Sequence, residues 1–294
     1  MDVNYKTFTA SDGAELQYCD LGKGKPMVFV HPFGGSIEKS LPLILEETAK
    51  KFRVICFDQR GFGKSPAYGT MSVNQSARDL KELLNFLGLH KLYAVGYSMG
   101  SAVLYSYVEQ FGCDSFEKII LGDMTPKLVN EDGWNKGLYQ GWYTRERYEI
   151  DKATMKKDFR TWGLYFYEQA LNLHNHEQVR DFKVTPELMP MISKLMGITE
   201  EMTETIFNIG EEAKNIQIAY WNSMCDNDFR EVLKKVTCPA AILYSEPGSL
   251  YDARTASYVA SQMPQATVYP MMGCTHVTGQ INLGKRVVEI LAQE

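Results

Sequence analysis

The chain has 294 residues, 45% hydrophobic and 23% charged, with a formal net charge of -5 at pH 7. This composition is typical of a globular protein and excludes fibrous or disordered classes. The acidic balance and the absence of a Lys/Arg stripe argue against nucleic acid as a partner.

The N-terminal third begins with a predicted hairpin and continues as buried strands. Residues 5–9 and 15–21 are β-rich and flank Asp12-Gly13, a hairpin signal. Short apolar runs without polar alternation follow, which is typical of strands buried on both faces of a parallel sheet. These runs are residues 27–30, 54–57, 92–95, 119–121 and 240–244.

Helical patterns separate the predicted strands. Residues 72–87 place their leucines on one face, and Gly88 follows as a stop signal. Residues 252–263 and 280–291 are also amphipathic. The alternation of strand and helix predicts a doubly wound α/β sheet, in which ligands bind at the carboxyl ends of the strands.

The alternation stops between residues 124 and 236. This stretch has helical periodicity, many aromatic residues and no convincing strand. We interpret it as a helical cap inserted into a core made of residues 1–123 and 237–294. Most of its aromatic side chains are expected to pack within the cap, and a minority to face a pocket.

The most specific motif is Gly96-Tyr97-Ser98-Met99-Gly100, which lies between an apolar strand and a predicted helix over residues 101–110. A direct turn from strand to helix strains the serine and leaves no room for side chains two positions away on either side. The following helix also directs its N-terminal N–H groups at the site. Ser98 is therefore the predicted nucleophile.

Together with two further segments, this motif resembles the α/β-hydrolase fold superfamily. His31-Pro32-Phe33-Gly34-Gly35 is similar to its oxyanion loop, and residues 58–65 are similar to its D-x-R-G-x-G-x-S stretch. The resemblance implies a mostly parallel, eight-stranded sheet with an inserted cap. It also implies a serine hydrolase of the carboxylesterase, lipase or perhydrolase kind.

The same resemblance implies roles for particular residues. His276, after the predicted last strand 267–269, would be the base, whereas His31, His90, His174 and His176 are expected to be structural or surface residues. The oxyanion would accept hydrogen bonds from the backbone amides of Phe33 and Met99. The predicted substrate-binding residues are Phe33, Tyr97, Trp142 and Trp221.

The acid that orients the histidine has two candidates. The turn after strand 240–244 reads Ser245-Glu246-Pro247-Gly248, with glycine where the family usually has aspartate. Asp123 follows the preceding strand, a position that some family members use for the acid. We favour Asp123 and keep Glu246 as the alternative.

These features favour an enzyme that cleaves an ester or related acyl bond of a small, largely apolar molecule, without metal or organic cofactor. Other chemistries of the fold remain open: lactonase, thioesterase, acyltransferase, carbon–carbon hydrolase or perhydrolase. A ligand receptor that keeps a slow triad is an alternative of a different class. The N-terminus lacks an apolar signal core and no stretch could span a bilayer, so we expect a cytoplasmic protein, monomeric or homodimeric.

Overall fold

The computed structural model describes residues 3–175, 185–196 and 209–293. Its strands are β1 (Lys6–Thr9), β2 (Glu15–Gly22), β3 (Pro26–Val30), β4 (Arg53–Phe57), β5 (Leu92–Tyr97), β6 (Phe116–Gly122), β7 (Ala240–Pro247) and β8 (Ala266–Cys274). Within the described residues they form one eight-stranded sheet in the order β1-β2-β4-β3-β5-β6-β7-β8. The pairs β1–β2 and β2–β4 are antiparallel and the others parallel, which confirms the predicted sheet.

Helices lie between most of these strands. They are α1 (Ile37–Ser40), a π-helical turn (Leu41–Leu45), α2 (Glu46–Thr48), α3 (Val73–Phe86), α4 (Met99–Phe111), α5 (Arg145–Lys157), α6 (Phe159–Ala170), α7 (Met189–Met196), α8 (Glu211–Asp226), α9 (Ala253–Gln262) and α10 (Leu283–Leu291). Local chemistry sets the start of α3, because the Ser72 hydroxyl accepts a hydrogen bond from the Gln75 N–H. Within the described ranges, no helix is both long and apolar enough to cross a membrane.

Helices on both faces of the sheet explain why the strand sequences do not alternate. On β3, Val28 and Val30 belong to a hydrophobic cluster that also includes buried side chains of α3 and α4. Met27 and Phe29, on the opposite face, belong to the cluster that contains the α1–α2 segment and α10. Inner strands such as β3, β4 and β5 therefore need apolar side chains on both faces, as in other doubly wound sheets.

Helices α5 to α8 follow β6 and precede β7 in the chain, which is the stretch interpreted as a cap. Helix α5 packs against α6 and α8, and α8 also contacts α3 of the sheet layer. This segment is anchored near the ends of the strands, since the Asn172 side chain donates to the Gly248 carbonyl at 3.0 Å.

Candidate active site

Ser98 lies on a strained turn between β5 and α4. Its φ and ψ are 52° and -124°, in a region that non-glycine residues rarely adopt. A Cβ on Gly100 would lie 2.0 Å from the Val30 carbonyl oxygen, and one on Gly96 would lie 2.5 Å from the Gly100 backbone. Both glycines are therefore required sterically, for the reason that the sequence motif suggests.

The side chains of Ser98, His276 and Asp123 form a continuous chain of hydrogen-bonding distances. Ser98 Oγ is 3.0 Å from His276 Nε2, and His276 Nδ1 is 2.8 Å from Asp123 Oδ2. Asp123 and His276 are buried. Because a carboxylate only accepts, Nδ1 carries the proton and Nε2 is left to accept from the serine hydroxyl.

Asp123 reaches the histidine because of its position directly after β6. It has a positive φ of 43°, and its N–H donates to the Leu243 carbonyl on β7 at 2.7 Å. Its carboxylate also faces the N–H and hydroxyl of Ser245, at 3.2 and 3.1 Å. Both ring nitrogens of His276 face Ser98 and Asp123, which leaves neither of them for Glu246, the alternative acid.

The backbone of His276 is held by residues that the sequence reasoning assigned elsewhere or missed. The hydroxyl of Tyr97 donates to the His276 carbonyl at 2.8 Å, and Ser249 Oγ accepts from the His276 N–H at 2.7 Å. Tyr97 was predicted to bind substrate, but it is 0% exposed and lies outside the described cavity lining. The reason is strand geometry, since Tyr97 points to the α10 face of the sheet. Ser245 and Ser249 could have been noticed as hydroxyl residues at the carboxyl end of β7.

The loop that carries Phe33 is held by a neutral histidine. His31 Nε2 accepts from the Gln59 N–H at 3.1 Å, so Nδ1 donates to the Pro32 carbonyl at 2.9 Å. Burial lowers the pKa of His31 to about 4, which keeps the ring neutral. Met99 is the first residue of α4, so its N–H has no acceptor within the helix. The oxyanion role of these two amides stays a prediction.

A cavity that is partly open to solvent begins at Ser98 and His276. Its wall includes Phe33 and two aromatic residues of α6, Phe166 and Tyr167. The full described lining is Phe29, Pro32, Phe33, Gly34, Gly35, Lys39, Ser40, Leu43, Ile44, Ser98, Phe166, Tyr167, His276, Val277, Gln280 and Leu283.

The two tryptophans predicted to bind substrate lie outside this described lining. Trp142 is 49% exposed and packs on the ring of Tyr139. Trp221 lies behind the wall, with its ring centroid 5.7 Å from that of Phe33 and 5.5 Å from that of Phe166. Trp221 therefore supports the cavity wall from the second layer.

The other described histidines, His90 and His174, do not form a comparable chain of hydrogen bonds with a serine and a carboxylate. His90 is exposed after α3, and His174 pairs with Glu168 at 2.8 Å on the surface. His176 lies outside the described residues.

This geometry agrees with the comparison to known families. Residues 25–178 match the family described as the alpha/beta hydrolase fold. The chain belongs to that family.

Similar proteins within the family carry several activities in their names. The chain is 32% identical over 132 residues to a non-heme haloperoxidase of Rhodococcus erythropolis, covering 44% of this chain and 48% of that protein. The chain thus spans about half the length of the haloperoxidases it matches. It is 24% identical over 265 residues, 87% of each chain, to the AB hydrolase superfamily protein YisY of Bacillus subtilis. An esterase structure from Exiguobacterium antarcticum has the same fold, with a TM-score of 0.76, 20% identity and 98% of each chain covered.

Proposed function

We propose that this protein is a serine hydrolase that cleaves an ester or related acyl bond of a small, largely apolar substrate. The observation that carries the proposal is the hydrogen-bonded chain from Ser98 Oγ through His276 to Asp123, which opens onto an apolar cavity. In this proposal residues 124–236 are the cap, which contributes Phe166 and Tyr167 to the cavity.

In the first half of the proposed reaction, Ser98 Oγ bonds to the carbonyl carbon while its proton moves to His276 Nε2. The carbonyl oxygen becomes an oxyanion that accepts hydrogen bonds from the N–H groups of Phe33 and Met99. Asp123 stabilises the imidazolium and holds its tautomer. The C–O bond then breaks, Nε2 returns the proton to the leaving alcohol, and an acyl-serine remains.

In the second half, water takes the place of the alcohol. Nε2 accepts a proton from the water as its oxygen bonds to the acyl carbon, and the oxyanion forms again in the same place. The bond to Ser98 Oγ breaks, the serine regains its proton from Nε2, and the carboxylic acid leaves. No metal or organic cofactor takes part in this scheme.

The names of the relatives favour a second candidate, perhydrolysis. Besides the haloperoxidases, the matches include an esterase/perhydrolase of Acinetobacter calcoaceticus. If hydrogen peroxide replaced water in the second half-reaction, the acyl-serine would give a peracid. Formation of peracid from an acyl substrate and hydrogen peroxide, lost in Ser98→Ala, would support this candidate.

The first test is intact-mass labelling with a small fluorophosphonate. We expect one adduct on the wild type and none on Ser98→Ala, because only an activated serine reacts at neutral pH. His276→Ala should prevent labelling, and Asp123→Asn should slow it by about a thousandfold or more, since the wrong tautomer would be stabilised. Glu246→Gln is the matched control and should label at the wild-type rate.

Two outcomes would contradict the proposal or its assignments. A folded wild type that forms no adduct would remove the serine hydrolase proposal and favour the receptor alternative. Slow labelling of Glu246→Gln, with normal labelling of Asp123→Asn, would move the acid to β7.

A further inference from the structure

The cavity beside Ser98 is apolar except for a few groups. Its hydrophobic side chains come from both walls and include Phe29, Phe33, Leu43, Ile44, Val277 and Leu283. Among the described lining residues, one is a lysine, Lys39, and none is an aspartate or a glutamate. The described wall of this cavity therefore carries an ammonium group beside mainly apolar side chains.

Lys39 is held beside the loop that carries the predicted oxyanion donor. Its Nζ donates to the Gly34 carbonyl at 3.2 Å, and its backbone N–H donates to Ser36 Oγ at 3.2 Å. The first residue of α1 is held by Asp58, because Asp58 Oδ1 accepts a hydrogen bond from the Ile37 N–H at 2.6 Å. The Gly34 carbonyl thus contacts the ammonium group directly, and Ser36 and Asp58 hold the backbone of α1 that carries it.

The charge of Lys39 also acts on His31, which directly precedes Pro32 in the loop. The pKa of His31 is lowered mainly by burial, and the positive charge of Lys39 adds to that effect. An ammonium group has three N–H donors, so it can bind more than one acceptor at once.

Gln280 adds an amide to the same lining. It ends the short helical turn Thr278–Gln280, which follows His276-Val277. Among the described residues, no hydrogen bond engages its side-chain amide, which can donate to an oxygen. The hydroxyl of Ser40, by contrast, donates to the Ser36 carbonyl at 2.6 Å.

From this arrangement we propose that the cavity selects esters that also carry a carboxylate, bound by Lys39 with help from the Gln280 amide. This inference rests on the proposed serine hydrolase function and narrows its substrate class. An aliphatic segment between the ester and the carboxylate would lie against the apolar walls. A charge pair gains strength when water is displaced from such surroundings, and a carboxylate is the natural acceptor for an ammonium group.

The test compares matched substrates in which a carboxylate replaces a terminal methyl group. In the first pair, monomethyl adipate and methyl hexanoate, the carboxylate lies in the acyl part of the ester. In the second pair, hexanoyl glycolate and ethyl hexanoate, the carboxylate lies in the alcohol part. Values of kcat/KM are measured in a pH-stat for the wild type, Lys39→Met, Lys39→Arg and Lys285→Met. Lys285 is an exposed residue of α10 outside the described cavity lining and is the charge-matched control.

We expect the wild type to prefer the carboxylate in at least one pair. In Lys39→Met the ratio of the two kcat/KM values in that pair should fall about tenfold, because a charge-assisted contact is lost. Lys39→Arg should keep most of the ratio, and Lys285→Met should keep all of it. The intrinsic reactivity of each ester cancels when variant and wild-type ratios are compared.

Two results would overturn the inference. If Lys39 only holds the Gly34 carbonyl, Lys39→Met will slow both members of each pair by the same factor and the ratio will not change. A ratio in Lys285→Met that falls as far as in Lys39→Met would show a general charge effect.

A failure of the inference can be distinguished from a failure of the proposed function. If the wild type turns over none of the four esters, the proposed function fails for this substrate size. Calorimetric binding to Ser98→Ala then still tests the inference. Binding of a carboxylate ester that Lys39→Met weakens about tenfold supports it. Equal binding of the carboxylate and methyl esters overturns it.

Discussion

At the scale of single residues, two buried histidines near Ser98 differ in the groups to which they form hydrogen bonds. His276 presents Nε2 to a hydroxyl and Nδ1 to a carboxylate, the arrangement of a group that can take up and return a proton. Among the described residues, His31 bonds only to backbone and amide groups, and its burial disfavours the charged ring. The difference comes from the neighbours: Asp123 can stabilise an imidazolium, whereas no carboxylate bonds to the ring of His31 among the described residues.

The neutral state of His31 predicts a dependence of stability on pH. Burial lowers its pKa from 6.5 to about 4 in the folded protein. Between those values the unfolded chain binds a proton that the folded chain does not, so the free energy of unfolding falls as the pH falls. We expect the stability advantage of wild type over His31→Gln to be largest near neutral pH and to shrink towards about pH 4.

Urea unfolding at a series of pH values measures this difference. His90→Gln, at an exposed position after α3, is the control for the effect of a His-to-Gln replacement as such. A constant difference between wild type and His31→Gln would show that His31 does not titrate differently in the two states.

At the scale of secondary-structure elements, helices α5, α6 and α8 form the wall behind the cavity. Asp151 of α5 accepts from the indole N–H of Trp162 on α6 at 3.3 Å and lies 2.9 Å from Arg147 Nε. On α8, the indole N–H of Trp221 donates to Tyr143 at 3.2 Å. Both indole N–H groups therefore have polar partners, while the Trp162 and Trp221 rings both contact Phe33.

Replacing Asp151 tests this interpretation of the wall. Its side chain is 0% exposed, so Asp151→Ala would leave the Trp162 N–H without its acceptor and Arg147 without its ion-pair partner. We expect a loss of roughly 1–3 kcal/mol in the free energy of unfolding, together with a higher KM because the aromatic wall loosens.

Glu149→Ala on the same helix is the matched control for that measurement. Glu149 pairs with Lys152 at the surface, and loss of such a pair changes stability by about 0.5 kcal/mol or less. Equal stability of Asp151→Ala and wild type would contradict a supporting role for this carboxylate.

At the scale of the whole molecule, the cavity depends on how α10 packs against the segment from α1 to α2. Ile44 and Leu283 line the cavity from these two elements. The elements approach closely at Gly284, where a Cβ would lie 2.9 Å from Glu47 Cβ and 3.1 Å from the Ile44 backbone.

A larger residue at position 284 should separate these two elements. We expect Gly284→Val to reduce the free energy of unfolding by about 1–3 kcal/mol through overpacking. KM should rise as well, since the cavity wall shifts. Lys285→Val is the control, because it places the same β-branched residue at an exposed position of the same helix. Equal stability of the two variants would show that α10 can move without cost.

The sequence by itself determined the features that depend on local patterns. Apolar runs without alternation predict strands buried on both faces, and the glycines around Ser98 follow from the steric limits of a strand-to-helix turn. The motif resemblance named Ser98 and His276 as the reactive pair, and the structure places them 3.0 Å apart. Their catalytic roles remain proposals.

Only the tertiary structure decided which distant side chains meet. Asp123 and His276 are 153 positions apart in the chain, and the path of β6 beside β7 places Asp123 Oδ2, and not Glu246, 2.8 Å from His276 Nδ1. The same is true of Tyr97, which points away from the cavity, and of Lys39, which lines it. The physical reason is that side-chain directions and neighbours depend on the register and packing of elements far apart in the chain, which no short pattern encodes.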